Sequence, residues 1–172
     1  MNAPEILYAA HYAPSGRRWM DAEQELVRQT AWNLKTPTPE AVEIAAPLMA
    51  ALIGPSPCWL IPVPSSSGSV EANLALARAV RRFVPAARIV VGIRRKHTVE
   101  SSCLRRRRGL TGLTVGQHAF GRCVGPLHRL PVWFVDNVVT TGTTIKAAHL
   151  AFGTGGGLVY ADASSPRSAR PR

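Results

Sequence analysis

Between Val132 and Phe152 the chain passes through three textures in succession. Val132-Trp133-Phe134-Val135 is an apolar β-run that stops at Asp136. Thr140-Thr141-Gly142-Thr143-Thr144 is a hydroxyl-rich loop with one glycine. Ile145 to Phe152 is apolar at helical spacing. A buried strand that feeds a short loop and then a helix is half of a βαβ unit, which calls for a parallel sheet with right-handed crossovers. The loop is also built for an anion. Its backbone N–H groups converge, its hydroxyls add donors, and the dipole of the following helix favours negative charge. Gly142 lets the backbone bend and come close to a phosphate. Asp136, at the strand's carboxyl end, is badly placed to hold that phosphate and well placed to accept hydrogen bonds from a sugar beside it. The ligand these residue types describe is a phosphosugar. Four threonines around one glycine are more than an ordinary helix cap requires.

The rest of the chain supplies the other strands and helices. Residues 5–12 form a short edge strand, and Asp21 to Leu34 an amphipathic helix. Thr38 caps a second helix, with Pro39 at its first position, running to Ile53 with a kink at Pro47. Cys58 to Val63 is a buried strand, Val70 to Phe83 a helix and Arg88 to Ile93 a strand. Residues 94–118 form a long basic loop. Gly153 to Gly157 is a turn, Leu158 to Ala163 a last strand, and the tail from Ser164 to Arg172 is disordered. The expected fold class is α/β: a Rossmann-like parallel sheet flanked by helices in one domain, 1–163. Residues 1–57 form a small N-terminal helical hood and 58–163 the α/β core. Ligands of such sheets bind at the carboxyl ends of strands. That places Val63–Gly68, Ile93–Arg95 and Asp136–Thr144 on one rim.

Ser65, Ser66, Ser67 and Gly68 follow a strand and open a helix. By itself this loop reads equally well as an N-cap with a flexible turn or as a phosphate cradle; beside the Thr loop the second reading is favoured. The net charge is +11, and eleven Lys/Arg residues lie between Arg78 and Arg108 against the single acid Glu100. Arg105-Arg106-Arg107-Arg108 is a run that attracts polyanions, nucleic acid among them, or forms a solvated basic face. Phe83 is the one aromatic in that span, so no base-stacking platform accompanies it. No run of about 18 apolar residues suits a membrane span, and no basic segment precedes an apolar one as in a signal peptide. Cys58, Cys103 and Cys123 are too widely spaced for a zinc ribbon and odd in number, which reads as thiols in a reducing cytoplasm.

The pattern of residues 132–144 resembles the phosphoribosyl-pyrophosphate (PRPP) loop of type I phosphoribosyltransferases. In that family apolar residues lead into two acids and then Thr-Thr-Gly-x-Thr/Ser. The resemblance implies that Thr140, Thr141, Gly142, Thr143 and Thr144 hold the 5′-phosphate and that Asp136 contacts the ribose hydroxyls. Asn137 stands at the second acidic position without a charge. Negative charge near an oxocarbenium-like ribosyl cation assists transfer. Asn137→Asp is therefore expected to raise turnover if the chain is an enzyme weakened at that position. Pro62-Val63-Pro64 and Asn73-Leu74-Ala75-Leu76-Ala77-Arg78 resemble the ComF-like (competence protein F-like) branch, whose usual zinc-binding cysteines are absent here. The family carries a mobile basic lid where residues 94–118 fall, which implies that Arg95 and Lys96 neutralise a leaving pyrophosphate. His97 reads as a surface residue, and Lys35 faintly matches a basic residue of the N-terminal region. The implied activity is Mg²⁺-dependent transfer of phosphoribose from PRPP to a nitrogenous acceptor, with Mg²⁺ bound mainly through PRPP. The alternative is a PRPP-pocket protein without useful turnover that acts as a regulator or on nucleic acid through its arginines. Relatives are often dimers, although no stretch here marks a dimer face.

Overall fold

The computed structural model describes residues 3–12, 21–100, 104–105, 108–127 and 129–164. In chain order the elements are β1 (Ile6–His11), α1 (Ala22–Asn33), α2 (Pro39–Ile53), β2 (Trp59–Pro62), α3 (Glu71–Phe83), β3 (Arg88–Ile89), β4 (Ile93–Arg95), α4 (Val115–His118), β5 (Phe120–Arg122), β6 (Val132–Val139), α5 (Thr143–Phe152) and β7 (Gly156–Asp162). Five strands form one parallel sheet in the order β1-β7-β6-β2-β3, while β4 and β5 make a separate antiparallel hairpin. The architecture is α/β, with helices on both faces of a Rossmann-like parallel sheet.

The caps at the helix starts follow the sequence. The Asp21 side chain accepts from Gln24 N and starts α1; the Thr38 hydroxyl accepts from Ala41 N and starts α2. α2 runs through Pro47 uninterrupted, without the one i→i−4 bond that proline cannot make. Strand alternation then sorts the core into two layers. Leu60, Val135, Leu158 and Tyr160 pack beneath α1, α2 and α3 against Ala31, Met49, Leu76 and Val80. Ile61, Phe134 and Val159 face the other side, against Ile145, Ala148 and Phe152 of α5 and against Ile93 and Phe120 of the hairpin.

Four expectations need correction. The strand expected to stop at Asp136 runs on to Val139, so the acid lies within β6 rather than at its end. The strand expected over Arg88 to Ile93 is divided: β3 closes the sheet edge at Ile89, and Ile93 begins the hairpin strand β4. The turn expected from Gly153 to Gly157 ends sooner, because β7 begins at Gly156. A Cβ on Gly156 would lie 2.8 Å from Trp133 and 2.9 Å from the Glu5 carbonyl oxygen, so glycine there serves close approach of the flanking strands. Residues 1–57 do not stand apart as a hood. β1 pairs along β7 as the sheet's edge strand, and α1 and α2 bury their apolar faces on the same core. Of the tail, Ser164 is fixed by its N–H and hydroxyl, which both donate to the Asp162 carboxylate. Residues 165–172 lie outside the described residues.

The topology places the rim. From β2 the chain crosses through α3 to β3 on one side; from β6 it crosses through α5 to β7 on the other. The strand order therefore reverses between β2 and β6, and a crevice opens at their carboxyl ends. The Ser loop leaves one wall of that crevice and Asp136 with the Thr loop leaves the other.

Candidate functional site

Asp136 is the hub of the rim. Its Oδ1 accepts from its neighbour's backbone, Asn137 N, at 2.9 Å and from Asn73 Nδ2 at 3.1 Å. Asn73 is buried on the first turns of α3 and also donates to the Val63 carbonyl at 2.8 Å. One amide thus ties the carboxyl ends of β2 and β6 together. Burial pushes the Asp136 carboxyl up to about 6, against the two hydrogen bonds and the charges of Arg95 and Lys35, which act to lower it.

Arg95 faces Asp136 from the hairpin, and its guanidinium is heavily engaged. Nε donates to the Ser65 carbonyl at 2.5 Å, Nη1 to the His118 carbonyl at 2.9 Å, and both Nη atoms lie 3.4 Å from His118 Nδ1. Its Cζ sits 4.5 Å from the Phe120 ring centroid. Burial lowers the Arg95 pKa, opposed by the Asp136 charge. His118 is itself buried; burial first, and then Arg95, hold its pKa down at about 4. The imidazole is therefore neutral at pH 7, with Nδ1 as the acceptor facing the guanidinium. A capping box between Thr114 and Gln117 builds the short helix that carries it. Ala119, at φ 45°, makes the left-handed turn into β5.

The Ser loop is a closed turn. Ser65 N donates to Ser69 O and Gly68 N to Ser65 O, with Gly68 at φ 94°, and the Ser65 and Ser67 hydroxyls lie 2.9 Å apart. Val99 N bonds the Ser66 carbonyl, so the first residues of the basic loop run alongside it. The Thr loop turns at Gly142, φ 71°, whose carbonyl accepts from Lys146 N. The Thr141 and Thr143 hydroxyls are 2.6 Å apart, and Thr143 N lies 3.4 Å from Thr141 Oγ1. Beside this loop opens a shallow cavity of about 240 Å³, bordered by Thr140, Thr141, Gly142, Lys146, Tyr8 and Asp162.

The rim therefore brings together Asp136, Arg95, Ser65 and Ser66, and the Thr loop continues from the same strand end. Other expected residues lie differently. Asn137 turns its side chain away: Nδ2 donates at 3.1 Å to the Ala31 carbonyl in the last turn of α1. Lys96 and His97 are exposed; the Lys96 stem runs beside Gly121 of β5. In the arginine run, Arg105 and Arg108 both reach Glu100, at 3.9 and 2.8 Å, and Arg105 Nε also donates to the Thr111 carbonyl. Arg106 and Arg107 lie outside the described residues. Arg108 is exposed even so, as are Arg78 and Arg81 on α3.

Asn73 and His118 are the site residues that chemical reasoning from the sequence passed over. A buried Asn in the first turns of a helix after a Ser-rich loop is a signal for Asn73. Nothing in the sequence pairs His118 with an arginine more than twenty positions earlier. Among the described residues no three His, Cys, Asp or Glu side chains converge on a metal position. Among the described residues no helix is long and apolar enough to cross a membrane. No known family model matches the chain, and no curated protein does.

Proposed function

We propose that the chain binds PRPP at the β2–β6 crevice and transfers its phosphoribosyl group to a nitrogenous acceptor, in a type I phosphoribosyltransferase fold. The observation that carries this reading is the convergence on Asp136: a half-buried carboxylate at a topological switch point, with a Ser loop, a Thr loop and an arginine around it. The Thr loop receives the 5′-phosphate and Asp136 the ribose hydroxyls. The Ser loop and Arg95 face the pyrophosphate. The acceptor nitrogen bonds to C1′ with its lone pair while the C1′–O bond breaks, and its electron pair leaves on pyrophosphate. A proton on that nitrogen, where there is one, passes to solvent. Mg²⁺ supplies charge neutralisation on the pyrophosphate. It would be held mainly through PRPP, with Asp136 the carboxylate that the hydrogen-bond network places beside it.

Thermal unfolding with Mg²⁺ tests the pocket. PRPP at 100 times its dissociation constant should stabilise the chain by about 2.7 kcal/mol, and Thr141→Ala should abolish most of that shift. No shift with PRPP, pyrophosphate or ribose 5-phosphate would sink the reading.

His118 acts on Arg95 rather than on substrate. His118→Ala should weaken Mg²⁺–pyrophosphate binding about tenfold, the usual worth of one charge-assisted hydrogen bond, and leave ribose 5-phosphate affinity unchanged. Calorimetric titration of both ligands reads that split. Equal losses for both would mean that His118 serves the fold alone.

A second reading, a PRPP-pocket protein without useful turnover, is favoured by one observation. The second acidic position is an amide committed to α1, so Asp136 stands there without a second acid beside it. Pyrophosphate release upon addition of nitrogenous bases separates the two readings.

A further inference from the structure

Asp136 feels two cations, and only one belongs to a phosphate loop. Arg95 comes from β4, on the α5 side of the sheet, and is bonded to the Ser loop. Lys35 comes from the end of α1, on the opposite side, where Leu34 is buried beneath the helices. Neither the Ser loop nor the Thr loop uses Lys35. Its neighbour is Trp32, whose ring centroid lies 4.6 Å from Lys35 Nζ and which is 51% exposed. An indole half in water is an uncommon place for so large an apolar surface. The pair is also held to the rim. Leu34 N bonds the Thr30 carbonyl, Lys35 N bonds the Trp32 carbonyl, and the Ala31 carbonyl accepts from Asn137, the residue next to Asp136.

We infer that Trp32 and Lys35 form the acceptor subsite, and that the acceptor is a planar nitrogen heterocycle bearing a carboxylate. The inference rests on the phosphoribosyl-transfer reading. Both phosphate groups of PRPP have donors of their own. The second cation, Lys35 on the other flank of the ribose position, is left for an anion that the acceptor brings. The indole supplies a face on which a flat ring stacks, and stacking tolerates many ring types. Asn137, by anchoring α1, holds this subsite in register with Asp136.

Matched ligand pairs that differ in charge test the inference. Nicotinate and nicotinamide, then orotate and uracil, are titrated into the full chain with Mg²⁺ and ribose 5-phosphate, which fills the sugar position without permitting turnover. Tryptophan fluorescence is followed. The carboxylated member should bind at least tenfold more tightly in a pair. Lys35→Gln should erase that difference, and Trp32→Ala should weaken both members roughly tenfold. Both side chains are exposed, so both variants should fold. Neither should change the stabilisation by PRPP. Equal affinity within both pairs, or no binding of any of the four, overturns the inference. So does loss of PRPP stabilisation in Lys35→Gln, which would make Lys35 a phosphate ligand. Failure of PRPP to stabilise the unmodified chain is read in a separate arm and removes the phosphoribosyl reading itself, and this inference with it.

Discussion

Asp136→Asn should yield a protein that is more stable than the original and no longer responds to PRPP. The carboxyl's pKa is raised to about 6 in the fold, from an ordinary 3.8, mainly by burial. A carboxyl raised in the folded state costs nothing below the unfolded pKa. Its cost grows as pH rises from about 4 to about 6 and is constant above that. Two pKa units correspond to roughly 3 kcal/mol; the solvent contact of this half-buried group brings the expected gain at pH 8 to about 2 kcal/mol. The substitution is nearly isosteric, and the amide oxygen can keep both bonds, from Asn137 N and Asn73 Nδ2. Denaturant unfolding at pH 8 and pH 4 checks the sign: the gain should be present at the first and absent at the second. PRPP-induced stabilisation should vanish in the same variant. A buried charge kept at a thermodynamic loss is what a binding site demands and a scaffold does not. A variant that gains no stability at pH 8 would mean that Arg95 and Lys35 already compensate the burial.

Asn137→Asp should destabilise the chain by about 2–4 kcal/mol at pH 8, and turnover should not rise. Sequence reasoning led to the opposite expectation, that a second acid restores a weakened site. The geometry reverses it. Asn137 Nδ2 donates to the Ala31 carbonyl, so a carboxylate there loses the bond and sets its charge against a carbonyl oxygen. It also lies beside Asp136, a second burdened carboxylate. The new carboxyl would have a raised pKa, so the destabilisation should shrink as pH falls towards 4, where its protonated form can donate to the same carbonyl. Urea unfolding across pH 4 to 8 measures this. A loss that does not depend on pH would mean that repulsion is not its cause.

These two residues show what was legible in the sequence. Asp136 was identifiable because an apolar run that meets an acid shortly before a Thr-Gly loop is a local pattern, although β6 runs on to Val139, and the parallel sheet followed from strands alternating with helices. The role of Asn137 was not, because its partner is a backbone carbonyl 106 positions away. The same holds for the hairpin. Val90 to Gly92 continues the apolar run of β3, so nothing local shows that Ile93 leaves the sheet and pairs with Arg122. Arg95 was singled out for its charge, but its ties to Ser65 and His118 depend on that hairpin. The pairing in the arginine run was illegible for a similar reason: Glu100 is a lone acid in the sequence, yet in space Arg105 and Arg108 share it.

The Asn137–Ala31 tie also bears on how such a site changes over generations. Its acceptor is main chain, so no single replacement on α1 removes it. A lineage that gains an acid at position 137 must first shift or shorten the helix, and a lineage that shifts the helix first leaves the amide without its partner. Each order of events passes through a poorer folder, so the tie acts as a ratchet that keeps position 137 uncharged.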